Sequence, residues 1–319
     1  MREFSRLADH RRVDWYRLCL NDVSDATPSH YYYNVHNVLP RVEGGEKAAP
    51  PFDEKGIAIR DYHHTGRTEI PAGRYYNPTI IAQYGLSAYE HFLETGQQKY
   101  RKAFLNQARW LRDNHVEGRW ECDFPVPSFK LERGWISAMY QGQAISLLMR
   151  AYVETSDTRF LESATAALRP FYQEVSDGGV TIHADDGDTW LEEAPAQPPS
   201  HILNGHIFAI FGLYDYCRVT GDERVRSLCD QAIRTVARNL SNYERCGWVT
   251  YDLLYRRPAP SHYYAIHIAQ LRALHAMSQN PVFAKYADKW EQVYEYFGIP
   301  FVVRRLWIKT LGAAVSDDE

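Results

Sequence analysis

Apolar positions recur along this chain with two alternating characters. Ile80, Ile81, Tyr84, Leu86, Ala88, Tyr89, Phe92 and Leu93 leave almost no polar face, which predicts a helix buried nearly all round. Tyr100, Phe104, Ala108 and Leu111 follow at helical spacing, with Arg101, Lys102, Asn106, Arg109 and Arg112 between them, which predicts a one-sided surface helix. The same pair of characters returns three times. Ala144–Tyr152 is followed by Phe160–Phe171, Ile207–Tyr214 by Val225–Leu240, and Ile266–Leu274 by Phe283–Val293. Between the members of each pair lie four alignable segments, Glu94-Thr95-Gly96-Gln97, Glu154-Thr155-Ser156-Asp157, Val219-Thr220-Gly221-Asp222 and Met277-Ser278-Gln279-Asn280. Inner buried helices alternating with outer amphipathic ones predict a mainly α fold, an incomplete α/α toroid of about four or more hairpins. An ordinary helical bundle is the structural alternative.

Asn77-Pro78 supplies a cap followed by proline in the first turn. Shifting by the repeat maps Thr79 onto Met139, Asn204 and Tyr263, so these four should meet at the N-terminal ends of the inner helices. The long connections 115–135, 174–203 and 241–262 open on that same side, where a site belongs. Before residue 75 the chain carries turn clusters such as Pro40–Gly45 and Ala49-Pro50-Pro51, one helical stretch at Arg6–Leu20, and short strands at Tyr31–Val35 and Gly56–Arg60. The expected division is an N-terminal extension over 1–75, a toroid over 76–299 and a tail over 300–319. In that tail Arg304–Leu311 reads as a short amphipathic helix.

Composition refines this. The chain has 319 residues with net charge −4, no basic stripe, and hence no expectation of nucleic acid as partner. No apolar run is long enough to span a membrane, and the first residues have no apolar h-region, so a cytoplasmic protein is expected. Five scattered cysteines (Cys19, Cys122, Cys217, Cys229 and Cys246) read as buried free thiols. Twenty-three tyrosines exceed what a core needs, because each buried phenol requires a partner, and they fit a wet sugar groove as well as helix packing. Packing accounts for Tyr84, Tyr89, Tyr100, Tyr152, Tyr172, Tyr214, Tyr286 and Tyr294. A second set, Tyr75, Tyr76, Tyr140, Tyr251, Tyr255, Tyr263 and Tyr264, falls on the expected rim.

No metal, phosphate or nucleophile motif occurs, and neither metal nor cofactor is expected. The chemistry-bearing residues are Trp190-Leu191-Glu192-Glu193-Ala194-Pro195, Thr250-Tyr251-Asp252-Leu253 and His262-Tyr263-Tyr264. A carboxylate with phenols and no nucleophile suits proton transfer at carbon, or general acid–base work on a sugar. The bland reading of Glu192-Glu193 is a solvated acidic pair.

At these residues the chain resembles the C-terminal catalytic domain of the D-glucuronyl C5-epimerases, which act on heparosan and heparan sulfate precursors. The similar segments are Tyr76–Tyr89, Leu131–Tyr152, Asp188–Tyr216, Thr250–Leu253 and Tyr263–Leu271. The resemblance implies an α/α toroid and conversion of D-glucuronate to L-iduronate within a heparosan-like anionic polysaccharide, by removal of the C5 proton and return of one to the opposite face. It implies Glu193 and Tyr263 as the opposed proton-transfer pair, with Tyr251 assisting. Candidate sugar contacts are Tyr76, Gln83, Trp135, Gln141, Gln143, His201, Asn204 and His267. Gln141, Gln143 and Asn204 could equally satisfy backbone at buried helix ends.

Three positions depart from the family pattern. Ala194 stands where the family has tyrosine, Leu254 where it has arginine, and His262 where it has aspartate. Arg256 or Arg257 could then replace the missing carboxylate clamp, and His262 is an alternative cation. Two other outcomes compete: a polyuronate lyase, which shares the C5 abstraction but expels the C4 substituent, and a non-catalytic glycan-binding protein. A glycoside hydrolase needs two positioned carboxylates, and adjacent Glu192 and Glu193 should diverge. Animal members of the family are dimeric, so a homodimer is an expectation of the resemblance that no residue pattern demonstrates.

Overall fold

Four helices of 18 residues each recur along the chain: α1 (Pro78–Thr95), α3 (Ala138–Thr155), α5 (Leu203–Thr220) and α7 (Ser261–Ser278). Each is followed by an outer partner: α2 (Gln98–Asp113), α4 (Thr158–Ala166), α6 (Glu223–Asn239) and α8 (Pro281–Tyr296). These come from a computed structural model that describes residues 23, 25–35, 38, 51–63 and 70–296. The helix expected at Arg6–Leu20, the Pro40–Gly45 cluster, Ala49-Pro50 and the segment Arg304–Leu311 lie outside the described residues.

The four aligned segments of the repeat are left-handed helix caps. Gly96, Ser156, Gly221 and Gln279 take φ of 67°, 58°, 72° and 55°, and each amide closes onto the last turn of its inner helix. Glycine adopts this conformation freely, whereas Ser156 and Gln279 each give up roughly 1–2 kcal/mol. At the other end Asn77 caps α1 by accepting from the Ile80 amide at 3.2 Å. Outer helices α4 and α6 are capped in the same way by Asp157 and Asp222. The outer stretch expected over Phe160–Phe171 is interrupted. Helix α4 stops at Ala166, and Pro170 begins the body of a separate short 3-10 turn, Arg169–Tyr172, because proline cannot donate to a continuing helix.

Each inner helix packs on its own outer partner, and the inner helices pack in series, α1 on α3, α3 on α5, α5 on α7. Among the described residues the architecture is an incomplete α/α toroid of four hairpins. Helices α3 and α5 approach most closely at glycines. A Cβ on Gly142 would lie 2.5 Å from the Ala209 Cα, and one on Gly212 would lie 2.2 Å from the Gly142 carbonyl oxygen.

Residues 29–35 enter this ring at the C-terminal halves of α1, α3 and α5. The Tyr31 amide donates to Glu90 Oε1 at 3.0 Å, Arg150 donates to the carbonyls of Ser29 and His30, and the Tyr32 hydroxyl donates to Asp215 Oδ1 at 2.6 Å. Rings of Tyr31 and Tyr32 lie on Phe211, and that of Tyr33 on Phe208. Arg150 and Asp215 form a fully buried ion pair at 2.7 Å. The strand expected at Tyr31–Val35 is absent: helix side chains take the Tyr31 amide and the Ser29 and His30 carbonyls, and the Val35 carbonyl accepts from the Val38 amide. The strand expected at Gly56–Arg60 shrinks to a bridge between Ala58 and Phe52 and to β1 (Arg60–Asp61), which pairs with β2 (Arg74–Tyr75).

Inner-to-outer turns are two residues long, whereas outer-to-inner connections run over 114–137, 167–202 and 240–260. The last two hold hairpins, β3 (Thr181–His183) with β4 (Thr189–Leu191), and β5 (Glu244–Arg245) with β6 (Trp248–Val249). All three connections gather over the N-terminal ends of the inner helices. Cys122, Cys217 and Cys229 are buried, as expected, but Cys246 is exposed in the β5–β6 turn, where φ is 49°. Tyr264 leaves the rim set: it is buried and lies against Trp248 and Tyr294. Among the described residues no helix is long and apolar enough to cross a membrane.

Candidate active site

The two residues that follow β4 are glutamates whose side chains leave in opposite directions. The Glu192 backbone is pinned on both sides, its amide donating to the Val180 carbonyl at 2.7 Å and its carbonyl accepting from the Ala138 amide at 2.9 Å. Its side chain turns inward and is fully buried, so the pair is not a solvated one. Oε2 of Glu192 accepts from the Ser200 amide (3.2 Å), the Ser200 hydroxyl (2.6 Å) and the His201 amide (3.1 Å), and Oε1 lies 2.6 Å from His201 Nδ1. Trp190 stacks on the His201 ring with centroids 4.0 Å apart. His201 serves here to fasten the Glu192 turn, a role its sequence neighbourhood did not reveal.

Glu193 turns the other way, onto the first turn of α5. Its Oε1 accepts from the Tyr251 hydroxyl at 3.2 Å and its Oε2 from Nδ2 of the Asn204 side chain at 3.4 Å. Gly205 makes this seat: a Cβ there would lie 2.2 Å from Glu193 Oε2 and 2.3 Å from Glu193 Cβ. Tyr251 is held by its backbone, the amide donating to the Arg257 carbonyl at 2.6 Å and the carbonyl accepting from the Leu203 amide at 3.2 Å. Its ring lies 4.9 Å from that of Tyr263, which in turn lies 4.2 Å from His262. The structure thus brings Glu193, Tyr251, Tyr263, Asn204 and His262 together. The helical register shifts by one residue in the last repeat: Thr79, Met139 and Asn204 are second residues of their helices, whereas Tyr263 is third, and His262 is the equivalent position.

Of the two candidate arginines, Arg257 lies beside the phenols. Its guanidinium sits 4.8 Å from the Phe129 ring centre, 5.2 Å from Tyr255 and 5.9 Å from Tyr251, and its Nε donates to buried Asp252 at 2.8 Å. Arg256 has φ of 50° and donates to the Asn242 carbonyl instead. Ala194 and Leu254, two of the three departures, join one apolar cluster with Phe129, Leu131, Ala196 and Ile202, against which Tyr251 and Trp135 pack.

Other candidates lie apart from the carboxylate. Gln141 is fully buried, accepting from the Trp120 amide and donating to the carbonyls of Gly118 and Ala167, so it ties the first long connection to α3. Gln83 donates to the Tyr33 hydroxyl. Trp135 donates to the Phe124 carbonyl and contacts the Tyr140 ring. Gln143 and His267 are fully buried with no protein partner for their amide and imidazole atoms. Burial holds His267 neutral, its pKa lowered to about 3. Tyr76 is exposed, donates to Asp53 and stacks on Trp110.

Tyr140 and His206 are further residues of this neighbourhood. Burial pushes the Tyr140 phenol well up, with the charge of Glu193 adding to the effect, and its hydroxyl accepts from Asn77 at 3.0 Å. His206 accepts from the Leu191 amide at 2.9 Å and donates to the Ala232 carbonyl at 3.1 Å, which fixes a neutral tautomer, and burial lowers its pKa to about 4. Its position four residues from Ile202 in an apolar helix gave no sign that it braces β4.

The family model for the D-glucuronyl C5-epimerase C-terminus matches residues 112–292, more than half of the chain. The chain belongs to this family. A D-glucuronyl C5-epimerase of Caenorhabditis elegans is 32% identical over 219 residues, which are 61% of this chain and 35% of that protein. An uncharacterized protein of Methanocaldococcus jannaschii is 28% identical over 176 residues, 54% of this chain and 57% of that one. The chain therefore spans between about a third and somewhat over half of the length of these relatives. Among solved structures, an unsaturated glucuronyl hydrolase from Bacillus sp. GL1, described as responsible for the degradation of glycosaminoglycan, aligns over 68% of this chain and 61% of its own with 19% identity and a TM-score of 0.45.

Proposed function

We propose that this protein is a polysaccharide uronate C5-epimerase that converts D-glucuronate to L-iduronate within a heparosan-like chain. The observation that carries this reading is the cluster in which Tyr251 donates to Glu193 at 3.2 Å and also touches the Tyr263 ring. Epimerisation needs a base on one face of the sugar, an acid on the other, and neutralisation of the substrate carboxylate so that C5 can release its proton. Glu193 and Tyr263, each in contact with Tyr251, are the opposed pair in this reading. One removes the C5 proton, leaving an enolate of the carboxylate; the other donates a proton to C5 from the far side. After that step the first group holds an extra proton and the second lacks one. Tyr251, hydrogen-bonded to Glu193 and in contact with Tyr263, is suited to return it. Arg257, oriented by Asp252, is the cation for the substrate carboxylate.

The test is incubation of the protein with heparosan in heavy water, followed by proton NMR. Deuterium at C5 together with iduronate is the expected result. Growth of ultraviolet absorbance from an unsaturated uronate would assign a lyase instead. Absence of both signals on heparosan and on other glucuronate polymers would refute the reading.

A further inference from the structure

A cleft of about 400 Å³ opens on the same rim as the long connections but around the first hairpin rather than around Glu193. Its walls include Arg74 and Tyr76 before α1, Trp110 and Asn114 at the end of α2, and Glu121 and Asp123 in the first long connection. Tyr76 is among the few large hydrophobic side chains left exposed, at 46%. It is nevertheless held rigid. Trp110 stacks behind it with centroids 5.0 Å apart and planes 26° apart, and its hydroxyl donates to Asp53 at 2.8 Å. A fixed aromatic ring with one free face, bordered by amide and carboxylate acceptors, matches a pyranose, whose C–H face stacks while its hydroxyls bond sideways. Preorganisation adds to this, because binding does not have to order the ring.

The charges decide which pyranose. Arg74 is paired with Asp61 at 3.1 Å, and Asp123 with the exposed Arg133 at 3.0 Å. Glu121 remains, so the cleft carries an acidic surplus that repels a uronate carboxylate and accepts hydroxyl and acetamido donors. The neighbouring residues lead towards the site: Asn77 donates to the Tyr140 hydroxyl, and Tyr75 reaches Trp135 through Phe124.

We infer that the Tyr76–Trp110 cleft is a remote subsite for a neutral pyranose, such as an N-acetylhexosamine, of the polymer whose uronate reacts at Glu193. The inference rests on the proposed function for the second half of that statement only. The test is calorimetric titration of the intact protein with an N-acetylglucosamine tetramer and, separately, with a glucuronate oligomer. Tyr76→Ala should weaken the neutral tetramer about 10-fold and Tyr76→Phe should keep it, since stacking survives loss of the hydroxyl. On the polymer, Tyr76→Ala should raise KM with little change in kcat. Equal tetramer binding by the Tyr76→Ala variant and the parent, or no tetramer binding by the parent, would overturn the inference. So would glucuronate binding that is lost on Tyr76→Ala and exceeds that of the tetramer. Tetramer binding that depends on Tyr76, without any C5 exchange on glucuronate polymers, would leave the subsite standing and remove the proposed function.

Discussion

At Glu193 one carboxylate meets one phenol, one amide and one missing side chain. Replacing it as Glu193→Gln keeps the shape and removes the proton acceptor. C5 deuterium exchange should fall by about 10²-fold or more while the thermal midpoint stays near that of the parent. Gly205→Ala tests the seat rather than the group. The added Cβ would sit 2.2 Å from Glu193 Oε2, so the carboxylate must move, and a displacement of about 1 Å costs on the order of 10²-fold in rate. Exchange kinetics with a parallel melting curve check both. At this scale the family resemblance singled out Glu193, Tyr251 and Tyr263, and the fold brings these three side chains into contact. The sequence was silent about partners. Nothing in LEEAP says that Glu192, not Glu193, is the buried one, because that depends on which side of the chain after β4 meets residues 200 and 201.

Helices and loops carry the next level. The hairpin period was legible because an inner helix is apolar on every side and an outer one on a single side. The αL caps recur with it, at Gly96, Ser156, Gly221 and Gln279. Less legible were the α3–α5 contact at Gly142 and Gly212 and the break after Ala166. A glycine inside a helix reads as a weak position until another backbone is seen to lie against it. Gly142→Ala should destabilise the protein by about 1–3 kcal/mol through overpacking against Ala209, seen as a lower urea midpoint with unchanged slope. The first long connection is tied to α3 by Gln141, so that residue, chosen as a sugar contact from its motif, spends its amide on backbone.

The whole molecule closes around residues 29–35 at one end and opens its loops at the other. Arg150 and Asp215 are both fully buried, and removing one partner strands the other charge. Asp215→Leu should cost about 3–5 kcal/mol, read by chemical denaturation. Two buried histidines add a pH dependence. His206 and His267 have folded pKa values lowered to about 4 and about 3, below the ordinary 6.5. Below pH 6.5 the unfolded chain takes up protons that the folded one refuses. Their contribution is therefore complete above pH 6.5 and is lost as pH falls from there towards 4. Melting temperatures measured from pH 7.5 down to 4.5 should decline, and His267→Phe should make the decline shallower.

Local pattern was enough for the alternation of inner and outer helices, the cap at Asn77 and the side on which the long connections open. Each of these depends on neighbours within a turn or two, or on a repeat that restates itself. Other features required the folded chain. The burial of Tyr31, Tyr32 and Tyr33 among Glu90, Arg150 and Asp215 joins residues distant in sequence, and the inward turn of Glu192 and the position of Arg257 rather than Arg256 beside Tyr251 depend on how their loops fold back. Such contacts leave no periodic trace, because the partner of a buried charge or phenol is set by how the hairpins close on one another.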